Sequence, residues 1–126
     1  DLVNIGKFKG VTPRLLPLLV HPDRLADETL AGDILAMAER IGKEAFLRQQ
    51  KAIMSRIDSR PRLAAYSCPS VVIVGRQDAI TPLEMGAEMA KLIPGAKFVV
   101  IENSGHLPTM ERPEAASALL RYWLQT

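Results

Sequence analysis

The chain has 126 residues, enough for one small domain with a core of its own. With 48% apolar and 24% charged residues its composition is that of an ordinary soluble protein, and a net charge of +2 is too small to argue for nucleic acid. The longest apolar runs are a handful of residues, which excludes a membrane-spanning helix and gives no reason to expect a membrane partner.

From Asp1 to about Leu63 the pattern is helical and loop-like, with no strand visible. Asp1-Leu2-Val3 lacks a starting Met, so the chain is expected to begin mid-protein. Thr12-Pro13 reads as an N-cap followed by proline at the first helical position. Pro17 limits the apolar run Leu15–Val20 to short turns. From Asp27 onward Leu30, Ile34, Leu35, Ala38 and Ile41 recur at helical offsets, one apolar face of a helix that ends near Gly42. A second helix starts at about Lys43 with Phe46, Gln50 and Ile53 on one side, until Asp58-Ser59-Arg60-Pro61 breaks it. The basic residues Arg40, Lys43, Arg48, Lys51, Arg56, Arg60 and Arg62 are dispersed among acids and apolar positions. They read as a solvated helix surface and not as a phosphate-binding stripe.

From Tyr66 to Thr126 the organisation is that of an α/β protein. The strand-like runs Val71–Gly75 and Phe98–Ile101 are continuously apolar, as expected where helices cover both faces of a sheet. Between them Thr81-Pro82-Leu83-Glu84 predicts a helix start, with Thr81 capping the backbone and Glu84 closing a capping box. That helix runs to about Leu92 and stops at Pro94-Gly95. Pro113 opens the last helix, whose inward face is Ala116, Leu119, Leu120 and Trp123. Strands joined by a crossover helix lie parallel and end on the same sheet edge, where α/β proteins place their sites.

Just past those two strand ends stand Asp78 and His106, the candidate catalytic residues. An acid oriented on an imidazole is two-thirds of a hydrolytic triad, and an imidazole exchanges protons near neutral pH. Gly105 lets a tight turn present His106 at the strand edge. Either residue alone is ambiguous, since Gln77-Asp78-Ala79 also reads as a plain turn; their joint placement in one strand–helix–strand unit makes the case.

The third member is missing. Ser104 is too close to His106 in sequence to reach its ring at a useful angle. Ser55, Ser59, Ser67 and Ser70 lack a glycine-flanked elbow, and no Gly-x-Ser-x-Gly occurs. His21 reads as structural or exposed, and Glu111 as an anchor for the last helix in preference to a cleft residue. Cys68, the single cysteine, reads as a small apolar filler before a buried strand and fits a reducing, cytoplasmic setting. With two histidines, one cysteine and no close ligand spacing, neither a metal nor a cofactor is expected.

With those residues in hand, the stretch from Cys68 to Leu124 resembles the C-terminal end of the α/β-hydrolase fold family. The resemblance is carried by Pro69-Ser70-Val71-Val72-Ile73-Val74-Gly75-Arg76-Gln77-Asp78, Thr81-Pro82, Ile93-Pro94-Gly95-Ala96, Ser104-Gly105-His106-Leu107 and Met110-Glu111-Arg112-Pro113-Glu114, in order and at sensible spacing. It implies that Asp78 is the triad acid and His106 the triad base. Residues 1–63 are similar to the helical cap that many members insert before the acid strand, and Gln49–Met54 with Arg56–Pro61 look like its exit. The implied fold is an incomplete α/β-hydrolase fold: a cap segment at 1–63, then a parallel strand–helix–strand–helix unit at 64–126. The family's early strands, oxyanion-hole loop and nucleophile elbow precede the cap and are not in this sequence.

The resemblance implies a parent enzyme that hydrolyses a small ester, thioester or related substrate, with a small molecule as its partner and this chain inactive alone. The alternative is a non-catalytic binding or assembly module derived from a hydrolase. In either case two strands make a marginal sheet with an open apolar edge, so self-association is expected, with a dimer as its simplest form.

Overall fold

The computed structural model describes residues 10–125; the first nine residues of the 1–63 segment and Thr126 lie outside the described residues. Proline sets the local structure at the start. Pro13–Leu15 forms a 3-10 turn that leads into α1 (Leu16–Leu19), a single turn with Pro17 in its opening positions. Thr12 is extended and its hydroxyl makes no capping bond, so only the proline half of the expected helix start is used. A second 3-10 turn, Pro22–Arg24, follows His21, whose Nδ1 accepts the Asp23 N–H at 3.1 Å. His21 is therefore structural and buried.

Helix α2 (Glu28–Met54) opens on Asp27, whose Oδ1 accepts the Leu30 N–H at 3.0 Å. It is two helices meeting at Gly42, where φ 73° and ψ 166° leave the helical region. The boundary expected there is borne out. Ahead of the kink, Leu30, Ile34 and Ala38 are buried, and Ile34 is 0% exposed. Beyond the kink the apolar residues are poorly covered, with Ile53 51% exposed.

Leu30 and Ile34 close on Val20, and Leu16, Leu19, Leu107 and Met110 pack round them. Enclosing side chains of this size stabilises by roughly 1.5–3 kcal/mol each. Two of the flanking residues, Leu107 and Met110, lie one and four residues after His106. The helical half and the His106 loop thus share one core.

After the single turn α3 (Arg60–Leu63), the chain enters β1 (Val71–Gly75), α4 (Leu83–Leu92), β2 (Lys97–Ile101), α5 (Pro108–Glu111) and α6 (Pro113–Leu124). The two strands are parallel and end flush, from Val71 opposite Lys97 to Gly75 opposite Ile101. The ladder runs on past β1, because the Arg76 N–H donates to the Ile101 carbonyl at 2.9 Å and the Gln77 N–H to the Ser104 carbonyl at 2.8 Å. Arg76 and Glu102, each one residue past a strand end, pair through Nη2 and Oε1 at 2.5 Å.

Three details depart from expectation. Thr81 does not cap α4, whose preceding residue is Pro82; the Thr81 side chain is turned to Asp78 instead. The strands are not covered on both faces: Lys97 and Phe98 of β2 are exposed. Cys68 is exposed and not a core filler. The exposure of Cys68 has a clear cause. The sheet has two strands among the described residues, so the far edge of β1 and the segment leading into it have no strand beside them. An open cleft of about 890 Å³ follows that edge, its lining running from Cys68 to Asp78 and His106. Leu120 and Trp123, expected on the inner face of α6, look into this cleft, while Ala116 is the buried residue of that helix.

Candidate active site

The Asp78 loop is short. Its N–H donates back to the Gly75 carbonyl at 3.2 Å, a tight turn that lifts the carboxylate just beyond β1. Oδ1 accepts the N–H groups of Ile80 and Thr81, each at 2.9 Å, and Oδ2 accepts the Thr81 hydroxyl at 2.8 Å. The diversion of Thr81 from its expected capping role thus supplies two of the donors on this acid.

The His106 loop leaves β2 through Glu102 and Asn103. Asn103 takes φ 52°, a left-handed turn that asparagine tolerates better than most residues, and its carbonyl accepts Arg112 Nε at 2.8 Å. Two glycines let the backbones approach. A Cβ at Gly75 would run into the carbonyls of Ser104 and Gly105, and one at Gly105 would lie 2.9 Å from the main chain of Val20. The His106 N–H donates to the Leu19 carbonyl at 2.9 Å, so the helical half holds the residue's own backbone.

These loops bring Asp78 and His106 together. His106 Nδ1 lies 2.9 Å from Oδ2 and 3.1 Å from Oδ1 of Asp78. The carboxylate side chain is 6% exposed and the imidazole 31%. Burial acts to raise the Asp78 pKa, but hydrogen bonds from the Thr81 N–H, His106, the Thr81 hydroxyl and the Ile80 N–H together outweigh it, and the pKa is lowered. An ionised carboxylate only accepts, so the proton on this contact sits on Nδ1 and Nε2 keeps its lone pair. A neutral imidazole of that tautomer, oriented by a shielded acid, is equipped to remove a proton from a hydroxyl.

The remaining candidates fall elsewhere. Ser104 is buried, its Oγ donating to Glu111 Oε1 at 3.3 Å and its N–H to Gln77 Oε1 at 3.1 Å. It is a structural residue, as its spacing implied. Glu111 does not anchor the last helix; its carboxylate turns back to the His106 loop and to His21. Gln77 and Leu19, which also brace that loop, carry no sequence signal: Gln77 acts through its main-chain N–H and its side-chain amide alike, and Leu19 through its main-chain carbonyl. Among the described residues no group of three His, Cys, Asp or Glu side chains could hold a metal ion, and no helix is long and apolar enough to cross a membrane.

A family model described as the alpha/beta hydrolase fold matches residues 26–113. The chain belongs to the α/β hydrolase fold family. Its strand–helix–strand–helix unit and the helical part before it make an incomplete version of that fold. A pimeloyl-[acyl-carrier protein] methyl ester esterase of Neisseria meningitidis serogroup C is 32% identical over 110 residues, 87% of this chain and 42% of the relative. Among solved structures, a thermophilic esterase from Thermogutta terrifontis superposes with a TM-score of 0.84 at 35% identity, covering 89% of this chain and 42% of that one. The enol-lactonase from Burkholderia xenovorans superposes with a TM-score of 0.76 at 26% identity, covering 90% of this chain and 43% of that one. The chain thus spans well under half the length of these α/β hydrolase relatives.

Proposed function

We propose that Asp78 and His106 are the acid and base of a nucleophile–His–Asp triad in an enzyme that hydrolyses a small ester, thioester or related acyl substrate. The single observation that carries this reading is the Nδ1–carboxylate contact of 2.9 Å at the shared strand edge. It leaves the other ring nitrogen free as a base. The relatives, an esterase, a methyl ester esterase and an enol-lactonase, support an acyl–oxygen bond as the target.

In this reading the nucleophile comes from a part of the parent protein outside this sequence. His106 Nε2 takes its proton as it attacks the acyl carbon, and Asp78 holds the tautomer and steadies the imidazolium. The proton then passes to the leaving alcohol or thiol, an acyl-enzyme remains, and water activated by His106 releases the acid. The described part of the helical segment, residues 10–63, forms the cap over the substrate in this reading. The intact acid–imidazole contact favours this reading over a non-catalytic assembly module, which has no use for it.

The test is turnover of p-nitrophenyl butyrate by the complete parent protein, its His106→Ala variant and the isolated 126-residue chain. The parent is expected to be active, and the variant and the isolated chain inactive. Hydrolysis by the isolated chain that depends on His106, or wild-type turnover by the variant, overturns the reading.

A further inference from the structure

The acid–base pair leaves one buried carboxylate unused. Glu111 ends α5 and is 1% exposed. Removing a carboxylate from water is costly unless hydrogen bonds replace its hydration, and here they do. Oε1 accepts the Gly105 N–H at 2.8 Å, the Leu107 N–H at 3.3 Å and the Ser104 hydroxyl at 3.3 Å. Oε2 accepts the His21 N–H at 2.6 Å.

The pattern of donors is informative. Gly105 and Leu107 are the two residues on either side of His106, so one oxygen grips the main chain both before and after the imidazole. The N–H of His106 itself goes to Leu19, two residues before His21. Hydrogen bonds therefore run in a closed circuit: Glu111 to the His106 loop, His106 to Leu19, and His21 back to Glu111. A carboxylate is well suited to this circuit because every group it meets donates. A glutamine in the same place turns its amide N–H groups toward at least one of these donors.

We infer that Glu111 is a positioning residue: its carboxylate sets the reach of His106 toward Asp78 and couples that reach to the Leu19–His21 segment. The inference rests on the acid–base reading of Asp78 and His106. A misplacement of about 1 Å at a reacting group costs on the order of 10²-fold in rate, which sets the scale of the effect.

The experiment uses the complete parent protein with p-nitrophenyl butyrate as probe. It reads kcat and KM separately, thermal unfolding, and the low-field proton resonance of the His106 Nδ1–H. Glu111→Gln is expected to lower kcat on the order of 10²-fold with KM within about 3-fold, and to shift or abolish the resonance. Glu111→Asp, which keeps the charge, recovers part of kcat. His21→Pro serves as an independent variant, because it deletes the N–H facing Oε2 along with the ring and sets the proline Cδ against that oxygen. The φ of −58° at His21 already suits proline. Compared with His21→Ala, which keeps that N–H, it is expected to lose a further factor of about 10 in kcat and to move the same resonance. A folded Glu111→Gln with kcat within about 2-fold of wild type, or an unmoved resonance in a folded variant, overturns the positioning role. Failure of both Glu111→Gln and His21→Pro to fold assigns the circuit to folding alone and overturns it as well. If His106→Ala keeps wild-type turnover, the acid–base reading has failed; if His106→Ala is inactive while Glu111→Gln is unaffected, only the present inference has.

Discussion

Four donors converge on the Asp78 carboxylate, and three of them come from the two residues Ile80 and Thr81. Together with His106 they outweigh burial and keep the acid ionised. Asp78→Asn in the parent protein keeps the shape but exchanges one oxygen for a donor, which favours the wrong imidazole tautomer. A loss on the order of 10³–10⁴-fold in kcat is expected, checked by steady-state hydrolysis. Thr81→Val removes only the hydroxyl donor and is expected to cost about 10-fold. The folded-state pKa of Asp78 lies below its ordinary value of 3.8. The carboxylate therefore stabilises the fold fully above that ordinary value, and the contribution is lost as pH falls through the lower folded one. Thermal unfolding of wild type and Asp78→Asn is expected to differ near neutral pH and to converge in acid; a difference that grows on acidification contradicts the assigned network.

At the scale of elements, the flush ends of β1 and β2 do most to place the site. Gly75 opposite Ile101 starts both loops at one level, and Gly75 admits the Ser104–Gly105 main chain against the strand end. Gly75→Ala sets a methyl group against two main-chain carbonyls, which cannot swing aside as a side chain would. A destabilisation of about 1–3 kcal/mol is expected, read as a lowered unfolding temperature with turnover reduced alongside it. Much at this level was legible beforehand. The apolar runs, the break at Gly42, the proline-opened helices and the two residues past the strands follow from local spacing. The use of Thr81 and the destination of Glu111 do not. Thr81 stands where a capping hydroxyl would, and only the folded loop shows a carboxylate competing for it. Glu111 meets His21 from 90 residues away, and a bond of that span leaves no periodicity to read. Its one trace is an acid amid the residues that pack on the core.

For the whole molecule, the decisive feature is a sheet with an uncovered side. The exposure of Cys68, the cleft along β1 and the bare apolar residues after Gly42 all leave apolar surface uncovered. Strand edges of this kind recruit other strands. Prepared alone, the chain is expected to self-associate, giving a light-scattering mass that rises with concentration. Lysine at Val72 is expected to reduce that association. A monodisperse monomer at high concentration counts against it. Sequence could predict that an edge exists, since only two strand-like runs are present. It could not predict which residues the edge would bare, because that depends on how α4 and α6 flank the sheet.

The bond from His106 to the Leu19 carbonyl bears on anyone who would re-engineer the protein by exchanging lids between homologues. A chimera joined upstream of Leu19 replaces part of the scaffold that holds the His106 main chain, and on the proposed acid–base reading it is expected to trade catalytic power for any new selectivity. A junction placed after His21 leaves that support native, so the graft can vary what enters without disturbing the proton transfer.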